Sequence, residues 1–272
     1  MSANRELWEK GDFTKIAATM RGSGEALVES LGVAEGMAVL DLGCGDGTTA
    51  LPAAARGADV LGVDIASNLL AAGRARAAAA GLDNVTFQQG DASRLTGIDD
   101  GRFGLTLGAF GAMFAPRPYD VAKEMVRVTR PGGRVVMANW IPGDPTLVAQ
   151  ILKIASAYSP PPPDGFVSPM TWGAEDEVIS RFGEAGIPAE RVGFERATWV
   201  FDYDGTPEEL AGLFRDYYGP TMNAFAAARA EGREGLLQAE LDALFAAQNR
   251  SEDGGTEIGA TFLLVNVTRS YP

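Results

Sequence analysis

The chain has 272 residues, 46% of them hydrophobic, with 36 acidic and 23 basic residues, one cysteine and no histidine, for a formal net charge of −13. That length can bury a large core as one enzyme-sized unit. The acidity repels phosphate backbones, so no nucleic-acid partner is expected. The lone Cys44 and the missing histidines exclude an internal disulfide and a zinc site of His and Cys.

The N-terminal segment carries Trp8, Phe13, Ile16 and Met20 ahead of the first strand and reads as a helical cover over residues 1–35. Its start, Met1-Ser2-Ala3-Asn4-Arg5-Glu6, lacks a basic-then-apolar secretory pattern. No apolar run approaches the roughly 18 residues of a membrane span, so a cytoplasmic protein without membrane contact is expected.

Val39-Leu40-Asp41-Leu42-Gly43-Cys44-Gly45-Asp46-Gly47-Thr48 is an apolar run that breaks into alternating glycines. This is how a strand passes into a ligand-cradling turn, with glycines where a Cβ would collide and where φ takes unusual values. A dinucleotide turn keeps carboxylates away from the pyrophosphate at the helix N-terminus. Asp41 and Asp46 oppose that ligand, whereas Asp41 suits the ammonium of an amino-acid-bearing cofactor, held directly or through water. Cys44, within the turn, reads as a compact filler with no base beside it.

A helix over Thr48 to Arg56 follows, with Pro52 tolerated in its first turn. Asp59 to Asp64 reads as a second strand ending in an acid about 23 residues past Asp41, near the spacing of a ribose-binding carboxylate. Ser67 is expected to cap a helix from Asn68 to Ala80, closed by Gly81. Val85 to Ala92 reads as a third strand ending in Gly-Asp-Ala, and Phe103 to Phe110 as a fourth. A helix from Pro118 or Tyr119 to Thr129, a turn at Pro131-Gly132-Gly133 and a fifth strand over Arg134 to Trp140 complete an alternating β/α pattern, hence a parallel sheet covered by helices.

Residues 141 to 172 are proline-rich, with a helix over Thr146 to Tyr158 and a stiff extended piece at Pro160-Pro161-Pro162-Pro163. Glu175 to Ala185 reads as a helix, Arg191 to Tyr203 as a strand and Ala260 to Thr268 as the final strand. Between those strands lies a helical insertion over about residues 205–252. It opens on a capping-box pattern, Thr206-Pro207-Glu208-Glu209, and holds a second helical region near Pro220 to Gln248. The insertion suits a lid over the substrate better than a dimer arm, because ligands sit beyond the carboxyl ends of the strands.

The turn at Asp41, the acids Asp64 and Asp91 in register after it, and the Arg130-Pro131-Gly132-Gly133 segment resemble the class I S-adenosylmethionine-dependent methyltransferases, nearest their ubiquinone and menaquinone methyltransferase-like branch. The resemblance covers about residues 36 to 140. It implies an α/β fold: a Rossmann-like, seven-stranded, mostly parallel sheet with helices on both faces, forming a single domain over 1–272 with its core at 36–140. It also implies S-adenosylmethionine as cofactor and S-adenosylhomocysteine as product. Asp41, Gly43, Cys44, Gly45, Asp64, Ile65, Asp91, Ala92, Ala109 and Phe110 would bind it, with Asp64 on the ribose, Asp91 on the adenine amino group and Ala92 beside the ring.

The expected reaction is methyl transfer to a small, partly apolar molecule through an O, N or C acceptor atom, driven by proximity and desolvation. Without histidine no histidine base exists, and the acidic cluster of metal-dependent catechol enzymes is missing, so no metal is expected. Where the quinone branch often carries histidines stand Met113 and Phe114, which suggests an apolar pocket wall. Trp8, Phe13, Asn139, Tyr203, Tyr217 and Tyr218 complete the candidate substrate pocket. No catalytic base is named, since an ordinary phenol is protonated at neutral pH. The competing readings are a sensor or partner protein that binds S-adenosylmethionine without catalysis and, less favoured, an NAD-dependent oxidoreductase. Either a monomer or a homodimer fits.

Overall fold

The computed structural model describes residues 3–271. Three short helices open the chain: α1 (Ala3–Glu9), α2 (Thr14–Ala18) and α3 (Arg21–Ser30). Strands and helices then alternate through β1 (Ala38–Leu42), α4 (Ala50–Ala55), β2 (Asp59–Asp64), α5 (Ser67–Ala79), β3 (Val85–Gln89), β4 (Phe103–Ala109), α6 (Pro118–Val128) and β5 (Thr129–Trp140). After α7 (Leu147–Tyr158), α8 (Glu175–Glu184) and β6 (Val192–Tyr203) come α9 (Pro207–Tyr217), α10 (Gly219–Ala230), α11 (Glu234–Gln248) and β7 (Thr256–Thr268).

The seven strands are ordered β3-β2-β1-β4-β5-β7-β6. β1 pairs in parallel with β2 and β4, β2 with β3, and β4 with β5, while β7 runs antiparallel to β5. The expected mostly parallel, Rossmann-like sheet is therefore present. The reversal of strand order beside β1 creates a switch point, where loops leaving β1 and β4 diverge and leave room for a ligand. Central strands are apolar on both faces because helices cover both. Val39, Leu40, Leu105, Val136 and Met137 have no exposed surface.

The chain divides into two compact units. One comprises Gly24–Ile141, Val167–Ala197 and Phe262–Pro272, and holds the glycine turn and its acids. The other comprises Met1–Ser23, Pro142–Phe166 and Thr198–Thr261, so the N-terminal segment joins the proline-rich connection and the insertion. In that second unit α7 packs on α10 and α11, and α9 on both as well. Its interior is aromatic, with the Phe214 ring 5.3 Å from Phe245 and 5.7 Å from Phe201. Thr206 and Glu209 form the expected capping box at the start of α9.

Several boundaries differ from expectation. Ser67 is the first residue of α5 rather than its cap. The cap is Ala66, whose N–H donates to Asp64 Oδ1 at 2.8 Å, so the acid that ends β2 also fixes the entry to α5. β3 stops at Gln89, because Asp91 turns back to bridge Arg94. Pro131-Gly132-Gly133 lies inside β5, where the β4 pairing skips register between Phe103 and Leu105 and Gly132 takes φ +73°. The single helical region near Pro220 to Gln248 is two helices, separated at Gly232 with φ +68°. β7 begins four residues earlier than expected, at Thr256.

Candidate functional site

After β1 the backbone takes positive φ at three alternate glycines, Gly43 (+72°), Gly45 (+54°) and Gly47 (+87°). The N–H groups of Gly43 and Cys44 both donate to the Val63 carbonyl, at 2.7 and 3.1 Å, tying the turn to β2. A Cβ on Gly43 would lie 2.6 Å from the backbone carbon of Gly111, so this glycine lets the loops after β1 and β4 touch. Gly45 differs, because a Cβ there would meet nothing within 4 Å. Its N–H donates to Asp64 Oδ2 at 2.8 Å, and its α-carbon faces open space. Gly45→Ala therefore tests whether that space is a ligand cradle. The strain of a left-handed alanine is about 1 kcal/mol, so a small fall in melting temperature is expected together with a much weaker cofactor; equal cofactor affinity in the variant would count against the cradle.

Asp41 is 1% exposed. Its Oδ2 accepts from Thr49 Oγ1 at 2.7 Å, while its Oδ1 is buried with no partner. Burial, reinforced by repulsion from Asp64, raises its pKa from 3.8 to about 7. Asp64 is pushed upward too, again first by burial, although N–H groups of Ala66 and Gly45 oppose the shift. Each Asp64 oxygen takes one of these N–H groups and keeps a further lone pair for a ligand. Asp46, 2% exposed, lies with Oδ1 3.6 Å from Arg76, whose guanidinium also donates to the Asp46 carbonyl at 2.6 Å. Its charge is thus answered within the protein.

Asp91 is more exposed. Its Oδ1 is used in a local turn, accepting from the Ser93 N–H at 2.8 Å and hydroxyl at 2.6 Å, while Oδ2 lies 3.6 Å from Arg117. An open pocket of about 360 Å³ includes Asp91, Gln88, Gly90, Arg94 and Arg117 in its lining. Ile65 and Ala92 are half-buried. The Cys44 thiol is held far above its usual range by burial and by the neighbouring Asp64 and Asp41, and its sulfur fills the space a side chain at Gly62 would need. That makes it an inert filler. Among the described residues, no group of three or more His, Cys, Asp or Glu is placed to hold a metal ion.

Beyond Ala109, the loop after β4 turns sharply. Phe110 is the only non-glycine among the described residues with positive φ, +61°. Its N–H donates to the Ala138 carbonyl at 2.9 Å, and its ring stacks on Trp140 at 3.8 Å and meets Phe262 edge-on at 5.5 Å. This packing holds a conformation that costs a phenylalanine about 1–3 kcal/mol. Met113 is buried and Phe114 half-buried in the short 3-10 turn that follows. Asn139 is 1% exposed, beside Trp140 at the end of β5.

The other expected pocket residues lie in the second unit. Trp8, Phe13 and Tyr218 form one aromatic cluster, with ring separations of 5.7, 6.1 and 6.3 Å. Tyr203 and Tyr217 are half-buried. Burial pushes the Tyr218 phenol well above its ordinary value, which leaves it a poor proton acceptor. No helix among the described residues is long and apolar enough to cross a membrane.

Sequence reasoning missed Thr49, which braces Asp41, and the Phe110–Trp140–Phe262 stack. The pair of hydroxyls after the glycines, Thr48 and Thr49, is a readable signal for the first. The stack depends on the antiparallel β5–β7 register, which places Trp140 opposite Phe262, and no local pattern reports that.

A family model described as a methyltransferase domain matches residues 39–133. The uncharacterized protein Rv1403c of Mycobacterium tuberculosis is 34% identical over 82% of this chain and 80% of its own length. A demethylmenaquinone methyltransferase of Beutenbergia cavernae is 36% identical over 42% of this chain and 45% of its own. Among solved structures, phosphoethanolamine N-methyltransferase 2 of Haemonchus contortus, in complex with phosphomonomethylethanolamine and S-adenosylhomocysteine, superposes with a TM-score of 0.63 at 14% identity, over 100% of this chain and 61% of that one. The matched segment contains the glycine turn and the acids of β1 and β2, and the chain belongs to the class I S-adenosylmethionine-dependent methyltransferases.

Proposed function

We propose that this protein transfers a methyl group from S-adenosylmethionine to a small, partly apolar molecule, without a metal. The observation that carries the reading is Asp41 Oδ1, a buried carboxylate oxygen with no partner, on the strand that leads into a turn whose Gly45 opens onto free space. A ligand bearing an ammonium group answers both, since it supplies the missing donor and the space accepts its body. Asp41, braced by Thr49, holds that ammonium. Asp64 takes the ribose hydroxyls on its remaining lone pairs, and Asp91 Oδ2 takes the adenine amino group, with Ile65 and Ala92 beside the ring. Gly43, Cys44, Ala109 and Phe110 complete the wall.

When bound, S-adenosylmethionine supplies a methyl on a cationic sulfur, open to displacement by an in-line nucleophile. The residues contribute placement and dryness more than proton transfer. Cys44 and Tyr218 are both driven toward their neutral forms by burial, and the apolar ring wall around Phe110 excludes water from the neighbourhood of the reacting atoms. Met113 and Phe114 supply apolar surface for the acceptor.

Radiolabelled S-adenosylmethionine offered with a mixture of small hydroxy- and amino-aromatic compounds should yield a labelled product heavier by one methylene. Cofactor binding without turnover across such a set would instead favour a sensor. Met113→Ala should change the acceptor's KM while S-adenosylhomocysteine affinity stays within about twofold, at a stability cost of about 2–5 kcal/mol. A large loss of cofactor affinity in that variant would move Met113 from the acceptor wall to the cofactor wall.

A further inference from the structure

Asn139 stands at the C-terminal end of β5, the edge of the sheet where ligands bind in this fold class. It is 1% exposed, and neither its Oδ1 nor its Nδ2 has a hydrogen-bond partner. Burying a carboxamide with both ends unanswered is costly, and a leucine of nearly equal size would avoid that cost. The preceding residues of β5 are apolar, Val135, Val136, Met137 and Ala138, all buried. An amide in that run is the exception that a core alone does not require.

A second observation lies on the element packed against it. The 3-10 turn Pro169–Gly173 packs on β5, with Gly173 so close to the Trp140 carbonyl and Ile141 that no side chain would fit. In this turn Trp172 is 1% exposed and its indole N–H also has no acceptor. Two donors and one acceptor thus go unanswered on two elements that touch. The guanidinium on that side, Arg181, stacks over Trp172 at 4.6 Å and through Nη2 donates to Thr171 Oγ1 at 2.6 Å and lies 3.1 Å from Glu177, while its Nε and Nη1 are buried without a partner.

We infer that Asn139 binds the methyl acceptor, and that the acceptor presents a neutral group that both donates and accepts hydrogen bonds, of the carboxamide or lactam kind. The inference rests on the methyltransferase reading and deepens it. The Asn139 side chain offers a donor and an acceptor in one plane, which matches an amide, and the guanidinium on that side is already paired with Glu177.

The test uses the full-length protein and its Asn139→Leu variant. Both are titrated with S-adenosylhomocysteine, and the saturated complexes are then titrated with benzamide and, separately, benzoate at millimolar concentrations by ligand-observed NMR. Expected results are cofactor affinity within about twofold in both proteins, benzamide binding to the wild type and weakened about tenfold or more in the variant, and a variant melting temperature equal to or above that of the wild type. Absent benzamide binding, equal binding to both proteins, or a preference for benzoate would overturn the inference. So would a variant that melts more than about 4 °C lower, because Asn139 would then be a structural residue. Benzamide held at Asn139 by a protein that ignores S-adenosylhomocysteine would overturn the methyltransferase reading and leave this inference standing.

Discussion

Asp64→Ala is expected to lower affinity for S-adenosylhomocysteine by about a hundredfold or more in calorimetric titration. Two ribose hydroxyls donating to one carboxylate form charge-assisted hydrogen bonds of about 1.5–3 kcal/mol each, and a factor of ten corresponds to about 1.4 kcal/mol. The loss has a second origin in the protein itself. Asp64 ties the N–H groups of Gly45 and Ala66, both at 2.8 Å, so its removal also loosens the glycine turn and the entry to α5. Asp64→Asn separates the two contributions, since it keeps one oxygen acceptor but removes the charge. The asparagine variant should therefore fall between wild type and alanine. Unchanged affinity in a folded Asp64→Ala variant would rule out the ribose role.

Asp41→Asn should produce two opposite effects, a more stable free protein at alkaline pH and a weaker cofactor. The sign follows from the raised pKa of about 7 against 3.8 for an ordinary aspartate. Between those values the folded state holds a proton that the unfolded state has released. Asp41's contribution to stability is thus fully present below pH 3.8 and is lost as pH rises to about 7, by roughly 4 kcal/mol in all. Asparagine is neutral throughout and does not undergo this loss. Binding has the reverse dependence, because an ammonium ligand needs the ionised carboxylate. Affinity for S-adenosylhomocysteine should weaken by about tenfold for each pH unit below 7 over a short range and level off above it. In Asp41→Asn that slope should flatten and affinity at pH 8 should be lower. A wild-type affinity that does not vary from pH 5.5 to pH 8 would remove Asp41 from contact with the ammonium.

Much of this arrangement was legible along the chain because it is local. The glycine turn follows β1 directly, and Asp41 and Asp64 each sit on the last turn of backbone before a loop, so spacing alone locates them. The β/α alternation to Trp140 and the capping box at Thr206 are likewise short-range patterns. What escaped depends on contacts distant in sequence. Ser67 looks like a cap, yet Asp64 performs the tie to the α5 entry through the Ala66 N–H. Pro131-Gly132-Gly133 looks like a turn, yet long-range pairing absorbs it into β5. The left-handed Phe110 is tolerated only because Trp140 and Phe262 hold its ring, and residues far apart along the chain supply them. The gathering of residues 1–23, 142–166 and 198–261 into one unit is equally invisible to a local reading. At Asp91 the sequence showed an acid after the third strand but not that half of its carboxylate is committed to Ser93.

The measurement that tests the central claim most directly is parallel calorimetric titration of the purified protein with S-adenosylmethionine, S-adenosylhomocysteine and NAD. Saturable binding of the two sulfur compounds at one site per chain, with none of NAD, is the predicted result. Binding of NAD alone would contradict the assignment of Asp41 and the glycine turn, and with it the proposed chemistry.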